Sequence, residues 1–422
     1  MPRAHPVSWG ILTITSLAIL MTSVDAGILS AVLPSIQQEF GFTTSELGLV
    51  NSVFFAGTLI GALAFGLVSD RIGSGYRRSW TWAVAMTIGV LGGVLTYGMG
   101  TSVAAFLVLR GVMGFSRGGS EPTNVALVGE WWPKEHRGFA VGVHHTGFPL
   151  GQFATGALVA GVLAFAGWRE VFLLVPLIGV PIIIAQLVLG RKRNQQKVFD
   201  WIDGNGKTRP TPELSVRASG SALVPFKVAL ASSNVRWAVL LIFLFEWVET
   251  GASTFLTTNL VDLGLSNSRA ALIAGATGLT GWIGQIVWGT LSDRSGRKRS
   301  LNWLVYGWVI AMAALTLLSG AFTGWLILLF WGLFRNAPFP VVYALLMDSV
   351  AKAAGTAMGL VIGVAFGLSG ILVGPVAGWI IDTWGYGVHY AVLAVVGLLC
   401  LVPIRMLRET AVLVRDDEAA VA

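Results

Sequence analysis

The chain has 422 residues, of which 55% are hydrophobic and 12% charged, with 53 Gly, 17 Trp, a single Cys and a formal net charge of +7. Soluble chains carry about 25% charged residues, and a mean hydropathy of +0.74 leaves too little polar surface for one or two globular cores. One cysteine excludes a disulfide-stapled fold, and the basic residues lie between apolar runs with no patch built for nucleic acid. The solvent of this chain is lipid.

Twelve stretches are each long enough to cross a hydrocarbon core of about 30 Å, which takes about 20 apolar residues as helix. They run over 9–34, 47–69, 79–99, 103–130, 138–164, 169–190, 235–260, 269–291, 301–320, 324–348, 355–381 and 386–407. A backbone in lipid must satisfy its hydrogen bonds internally, so an all-α membrane protein is expected. The first span has no small-residue cleavage site and is expected to be a retained helix. With the N-terminus inside, 23 of the 28 Lys and Arg fall in cytoplasmic segments and two, Arg169 and Arg269, fall outside. That asymmetry predicts both termini in the cytoplasm, as in a multi-pass inner-membrane protein. The polar stretch 191–234 contains Gly204, Gly206, Pro210, Pro212 and Gly220. It reads as a flexible cytoplasmic linker, ending in a short amphipathic piece at 225–235, between six-helix halves at 1–190 and 235–422.

The halves repeat each other. Gly66-Leu-Val-Ser-Asp70-Arg71-Ile-Gly73 follows the second span, and Gly289-Thr-Leu-Ser-Asp293-Arg294-Ser-Gly296 follows the eighth, 223 residues later. Gly114-Phe-Ser-Arg117 with Pro122 in span four matches Gly332-Leu-Phe-Arg335 with Pro340 in span ten. Val24-Asp25-Ala-Gly27 in span one matches Val248-Glu249-Thr-Gly251 in span seven. Three matches in the same order make an internal duplication, the usual architecture of secondary transporters.

On these motifs the chain resembles the major facilitator superfamily over essentially its whole length. The resemblance implies two pseudo-symmetric six-helix halves with a cavity lined by spans 1, 4, 7 and 10. It also implies a cytoplasmic gate built from Asp70, Arg71, Asp293 and Arg294. Arg110, Gly114, Pro122 and Trp131-Trp132-Pro133, with Gly147, Gly151 and the Asp25 segment, further resemble the anion:cation symporter branch, which includes sugar-acid and vesicular glutamate transporters. Two positions depart from that branch: Ala26 stands where an Arg often follows the Asp, and Arg117 stands where the branch has Glu.

The charges inside the spans point to the chemistry, because a buried ionisable group normally faces a partner or a wet cavity. Asp25, Arg110, Arg117, Glu121, Glu246, Glu249 and Arg335 all lie on spans 1, 4, 7 and 10. Arginine's planar fork binds carboxylates through two parallel hydrogen bonds and stays charged at any working pH. Arg117 and Arg335, related by the repeat, are therefore the expected anion clamp, with Tyr343, Asn336 and Gln285 as further substrate contacts. The bland alternative is a permanent buried ion pair that fixes helix packing, and it is the favoured reading for Arg110. Asp25 and then Glu249, Glu121 and Glu246 are the expected proton carriers. An anion that takes an arginine away from its carboxylate makes that carboxylate easier to protonate, so anion and proton binding are linked.

His144 and His145 open span five and read first as structural. No metal-ligand spacing, phosphate-binding loop or nucleophile–base set appears, so neither an enzyme nor a cofactor is expected. The reading is a monomeric proton-coupled importer of a small organic anion working by alternating access, with sodium as the alternative coupling ion. Proton-coupled efflux of drugs or metabolites, and a non-transporting nutrient sensor on the same fold, are the alternatives.

Overall fold

Because each crossing must close its own backbone hydrogen bonds, the described crossings are helices. The computed structural model describes residues 3–73, 75–133, 136–210, 227, 229–350, 357 and 360–410. The side chains of Asp70, Arg71, Asp293 and Arg294, the expected gate, lie outside the described set, as do residues 225, 226 and 228 of the expected amphipathic piece. The first four spans are single helices: α1 (Pro6–Phe40), α2 (Thr44–Ile72), α3 (Tyr76–Met99) and α4 (Val103–Glu130). Span five is α5 (Arg137–His145) with α6 (Gly147–Leu163), and span six is α7 (Trp168–Leu177) with α8 (Gly179–Leu189). After α9 (Lys192–Gly204), α10 (Ser233–Asp262) is span seven; α11 (Asn267–Ala274) with α12 (Thr277–Ser295) is span eight, and α13 (Arg297–Leu315) is span nine. Span ten is α14 (Ala321–Arg335) with α15 (Pro338–Ser349). A π-helical turn, Leu360–Phe366, runs into α16 (Gly367–Leu399), which is broken at Gly385 (φ +80°), and α17 (Leu401–Met406) ends span twelve.

Among the described residues, nine stretches are long and apolar enough to cross a membrane, and one of them, Gly363–Met406, contains two crossings separated by Gly385. The two crossings that composition does not single out are α4, which carries Arg110, Arg117 and Glu121, and α13, which opens on Arg297-Lys298-Arg299. Twelve crossings result among the described residues, in the expected places.

The repeated motifs have backbone reasons. Gly73 (φ +109°) ends α2 and Gly296 (φ +95°) ends α12. The two copies thus turn the chain at a left-handed position that favours glycine. Gly114 and Gly332 press against neighbouring backbone: a Cβ there would lie 2.0 Å from Phe54 O and 2.3 Å from Thr277 O. The close contact of span four on two, and of ten on eight, fixes the helix register one turn before Arg117 and Arg335.

One expected loop is a helix. Residues 192–204 form α9, which buries Val198 and Ile202 against the first half. Asn194 Nδ2 donates to Leu189 O (3.0 Å) and Tyr76 N donates to Gln195 Oε1 (3.2 Å), so α9 is bolted to the first half. Its polar composition hid an apolar pair one turn apart.

Span ten is broken immediately after Arg335. Pro338 and Pro340 have no N–H, which leaves the carbonyls of Phe334 and Asn336 without their helical donors. Trp308 Nε1 donates to Phe334 O (2.9 Å), and Gln285 Nε2 donates to Asn336 O (3.4 Å). Trp288 Nε1 adds a bond to Leu333 O (3.1 Å). Three side chains of the second half therefore support the broken turn that carries Arg335.

The halves meet along spans 2 and 11 and spans 5 and 8, toward the end that carries residues 41–43 and 385. A Cβ on Gly48 would lie 2.2 Å from Gly374 C, and one on Gly378 would lie 2.5 Å from Thr44 O. The Asp382 carboxylate accepts from Thr44 N (3.2 Å), Ser45 N (2.9 Å) and Ser45 Oγ (2.7 Å) at the start of α2. A carboxylate at a helix N-terminus answers both the free N–H groups and the helix dipole. Ser268 Oγ donates to Ala160 O (2.9 Å) and Asn267 Nδ2 to Ser35 Oγ (3.0 Å). Every hydrogen bond described between the halves lies at this end or at the level of the central cavity.

Trp308→Phe should lower the thermal midpoint of the detergent-purified protein, because Phe334 O keeps only backbone bonds such as Ala337 N (3.3 Å) and loses a side-chain hydrogen bond worth about 0.5–1.5 kcal/mol. Trp303→Phe, on the exposed face of the same helix, should leave it unchanged; equal midpoints in the two variants would remove the supporting role of Trp308. Gly48→Leu cannot keep the seam closed, so spin labels at positions 42 and 384 should move apart in the folded variant. An unchanged distance distribution would show that the seam does not need this glycine.

Candidate functional site

Between the halves lies a cavity with about 870 Å3 of atom-free space, counting its mouth. The first half contributes Ser23, Gly27 and Ser30 from α1, Asn51, Phe54 and Phe55 from α2, Arg117 from α4, and Phe148, Gln152 and Thr155 from α6. The second half contributes a continuous stripe of α10, Glu246, Glu249, Thr250, Ser253, Thr254 and Thr257, with Arg335 and Phe366 opposite. Spacings of three and four residues place that α10 stripe on one helical face.

Both arginines expected to clamp an anion border this cavity, one from each half. Arg335 Nε donates to Glu249 Oε1 (3.0 Å) and its Nη1 to Thr277 Oγ1 (2.7 Å), and the guanidinium lies 4.8 Å from the Trp331 ring centroid. Arg117 Nε donates to Glu121 Oε2 (3.4 Å), one turn along α4, and the guanidinium packs between Phe54 (5.8 Å) and Phe366 (6.0 Å). Among the described residues, neither terminal nitrogen of Arg117 has a partner, and Arg335 keeps Nη2 free. Each pair engages only the inner Nε of the fork, so donors remain for a ligand. Glu246 accepts from Thr250 Oγ1 (2.8 Å). The second oxygens, Glu246 Oε2 and Glu249 Oε2, are buried without a partner among the described residues.

Asp25 stands apart from this set. It borders a smaller cavity with Thr22, Met86, Gly89, Met113, Ser116, Ser120 and Arg117, and its Oδ1 is buried without a described partner. Arg117 alone among these residues borders both spaces. The expectation that Asp25 faces the central cavity is therefore corrected: its side of α1 packs toward α3 and α4. Arg110 is fully buried and stacks over Phe54 (4.7 Å) and Phe172 (5.7 Å), with one contact from Nη1 to Met113 Sδ (3.5 Å). It rests on aromatic faces, and no carboxylate among the described residues lies within ion-pair distance.

Three expected substrate contacts do other work. Gln285 supports the broken turn of span ten. Asn336 forms a reciprocal amide pair across the halves, its Nδ2 donating to Gln152 Oε1 (3.0 Å) and its Oδ1 accepting from Gln152 Nε2 (3.3 Å). Tyr343 packs against the apolar core of the second half and does not border the cavity. Glu121 acts on the cavity through Arg117. Sequence reasoning missed Gln152, Thr155, Ser253 and Asp382. A polar residue within an apolar run was the available signal for Gln152, and no motif marked Asp382.

The family model for the Major Facilitator Superfamily matches residues 15–372 and 239–420. The chain is 28% identical over 397 residues to a probable sulfoacetate transporter of Cupriavidus necator, covering 89% of this chain and 87% of that one. It is 25% identical over 323 residues to a benzoate transport protein of Acinetobacter baylyi (70% and 67% covered), and 23% over 310 residues to a hexuronate transporter of Bacillus subtilis (73% and 70%). The crystal structure of a D-xylose–proton symporter superposes with a TM-score of 0.74 at 18% identity, covering 95% of this chain and 98% of that one. Duplicated halves, paired motifs and matches that run nearly end to end agree: the chain belongs to the Major Facilitator Superfamily of membrane transporters.

Proposed function

We propose that this protein carries a small organic anion across the inner membrane by alternating access, with uptake coupled to protons. The observation that carries the reading is the pair of arginines, Arg117 and Arg335, one from each half, bordering one cavity, with both terminal nitrogens of Arg117 and Nη2 of Arg335 free among the described residues. A ligand bound by both arginines draws the halves together, which is what a carrier needs from its substrate. The relatives named for sulfoacetate, benzoate and hexuronate all take ligands with an anionic group. With the termini cytoplasmic, as the Lys and Arg distribution predicts, the sealed end faces outward and the cavity serves the cytoplasm.

Coupling follows from the sharing of each guanidinium between two anionic groups. Glu249 holds Arg335 and Glu121 holds Arg117 through Nε. An anion bound at the free terminal nitrogens brings a second negative charge to the same guanidinium, and a proton on the carboxylate relieves the repulsion. Binding of one therefore favours binding of the other, in reciprocal measure. Glu249 and Glu246 offer unpartnered oxygens at the cavity, and Asp25 offers one in the chamber behind Arg117.

Arg117→Lys and Arg335→Lys keep the charge and lose the fork, so each should weaken anion binding by about 1.5–3 kcal/mol, the worth of a charged hydrogen bond. Calorimetry on folded variants measures this, and wild-type affinity in both would remove the clamp. Glu249→Gln and Asp25→Asn should keep counterflow in proteoliposomes and lose accumulation driven by a pH gradient. A variant that accumulates normally takes its residue off the proton path. Wild-type accumulation that ignores pH and follows sodium would overturn proton coupling itself.

A further inference from the structure

Resting on the anion-carrier reading, we infer that the substrate is a hydroxylated acid, whose own O–H groups donate to a cavity wall rich in acceptors. Ser23 Oγ donates to Phe148 O (2.9 Å), Thr155 Oγ1 to Gly151 O (2.8 Å) and Ser253 Oγ to Glu249 O (2.7 Å). A backbone carbonyl has no proton to give, so in each bond the hydroxyl is the donor. Thr250 Oγ1 commits its proton to the Glu246 carboxylate in the same way (2.8 Å). All four side chains border the cavity. What they have left is lone pairs.

The other polar groups of the wall are mostly taken. Gln152 is paired with Asn336 on both amide atoms, and Asn51 Nδ2 donates to Thr254 Oγ1 (3.2 Å). Thr254, Thr257 and Ser30 keep unassigned protons, so the wall is not without donors. Even so, the strong donors are concentrated in the two guanidiniums and the acceptors are spread along α1, α6 and α10. A ligand matched to this pattern has an anionic group for the arginines and hydroxyl donors along its flank. A bare aliphatic or aromatic acid satisfies the arginines and strips water from the hydroxyl wall without replacing its hydrogen bonds. A site that hydrogen-bonds a substrate hydroxyl rejects the analogue without it, because its own buried polar groups are left unpaired.

The test uses purified full-length protein and pairs of acids that differ in hydroxyl groups: glycerate with propionate, tartrate with succinate, and gluconate with hexanoate. Affinities come from calorimetry, and competition for uptake is read in proteoliposomes. In the pair that fits the cavity, the hydroxylated acid should bind roughly tenfold tighter or more. Thr155→Val and Ser253→Ala, each of which removes a lone-pair acceptor and leaves the arginines in place, should bring the ratio toward one. Equal affinities within every pair that binds, or a preference untouched in both variants, would overturn the hydroxyl reading and leave the anion carrier standing. Binding by none of the six acids, with Arg117→Lys and Arg335→Lys indistinguishable from wild type, would overturn both.

Discussion

A guanidinium held inside a membrane has to be answered, and this molecule is arranged around how it answers three of them. Arg110 lies against aromatic faces, while Arg117 and Arg335 each receive one carboxylate on the inner nitrogen and border the cavity, with both terminal nitrogens of Arg117 and Nη2 of Arg335 unpartnered among the described residues. Full neutralisation by tight bidentate pairs would make them structural fixtures, because a satisfied buried ion pair has little reason to exchange partners. Half-satisfied, they stay available. Glycine contacts that set the helix register, a proline-broken turn supported by two tryptophans and a glutamine, and a carboxylate stripe on α10 all serve to hold that intermediate condition.

The two arginines are not supported alike. Arg117 projects from a continuous helix, shares its carboxylate with the next turn of that helix, and separates the large cavity from the chamber around Asp25. Arg335 ends a helix, and its carboxylate comes from another span. Movement at the first stays within one rigid rod, whereas movement at the second passes directly to the break in span ten and to Asn336, which grips Gln152 across the halves. The duplication therefore yields a symmetric pair of charges on an asymmetric mount, suited to passing ligand occupancy from one half to the other.

Much of this was legible in the sequence, for local reasons. Span positions follow from apolar run length, and the repeat located Arg117 and Arg335 because a glycine three residues earlier recurs in both halves. Asp25 was recognised as a buried charge and assigned to the wrong space, since a helix position alone does not say which neighbours it meets. Gln285 and Asn336 looked like ligand contacts because they are polar, yet one partners a carbonyl freed by Pro340 and the other an amide 184 residues away. Partners that distant in the chain leave no spacing to read. Asp382 escaped for the same reason: what it binds is the backbone of Thr44 and Ser45, which any residue presents.

The seam at the sealed end is made largely of backbone against backbone, with Gly48 on Gly374 and Gly378 on Thr44. Such surfaces cohere by dispersion, which is shallow for each atom pair and falls away within an ångström or so. Apart from Thr44 N and Ser45 N, which donate to Asp382, and Ile371 O, which accepts from Ser52 Oγ, the described peptide groups here are bonded within their own helices, so parting them strips few hydrogen bonds. Smooth faces of this kind slide and separate with low friction, unlike interdigitated leucines that must unlock together. Parting of the halves at this end is therefore resisted chiefly by the few directional bonds laid across the seam, and the glycine surface itself adds little.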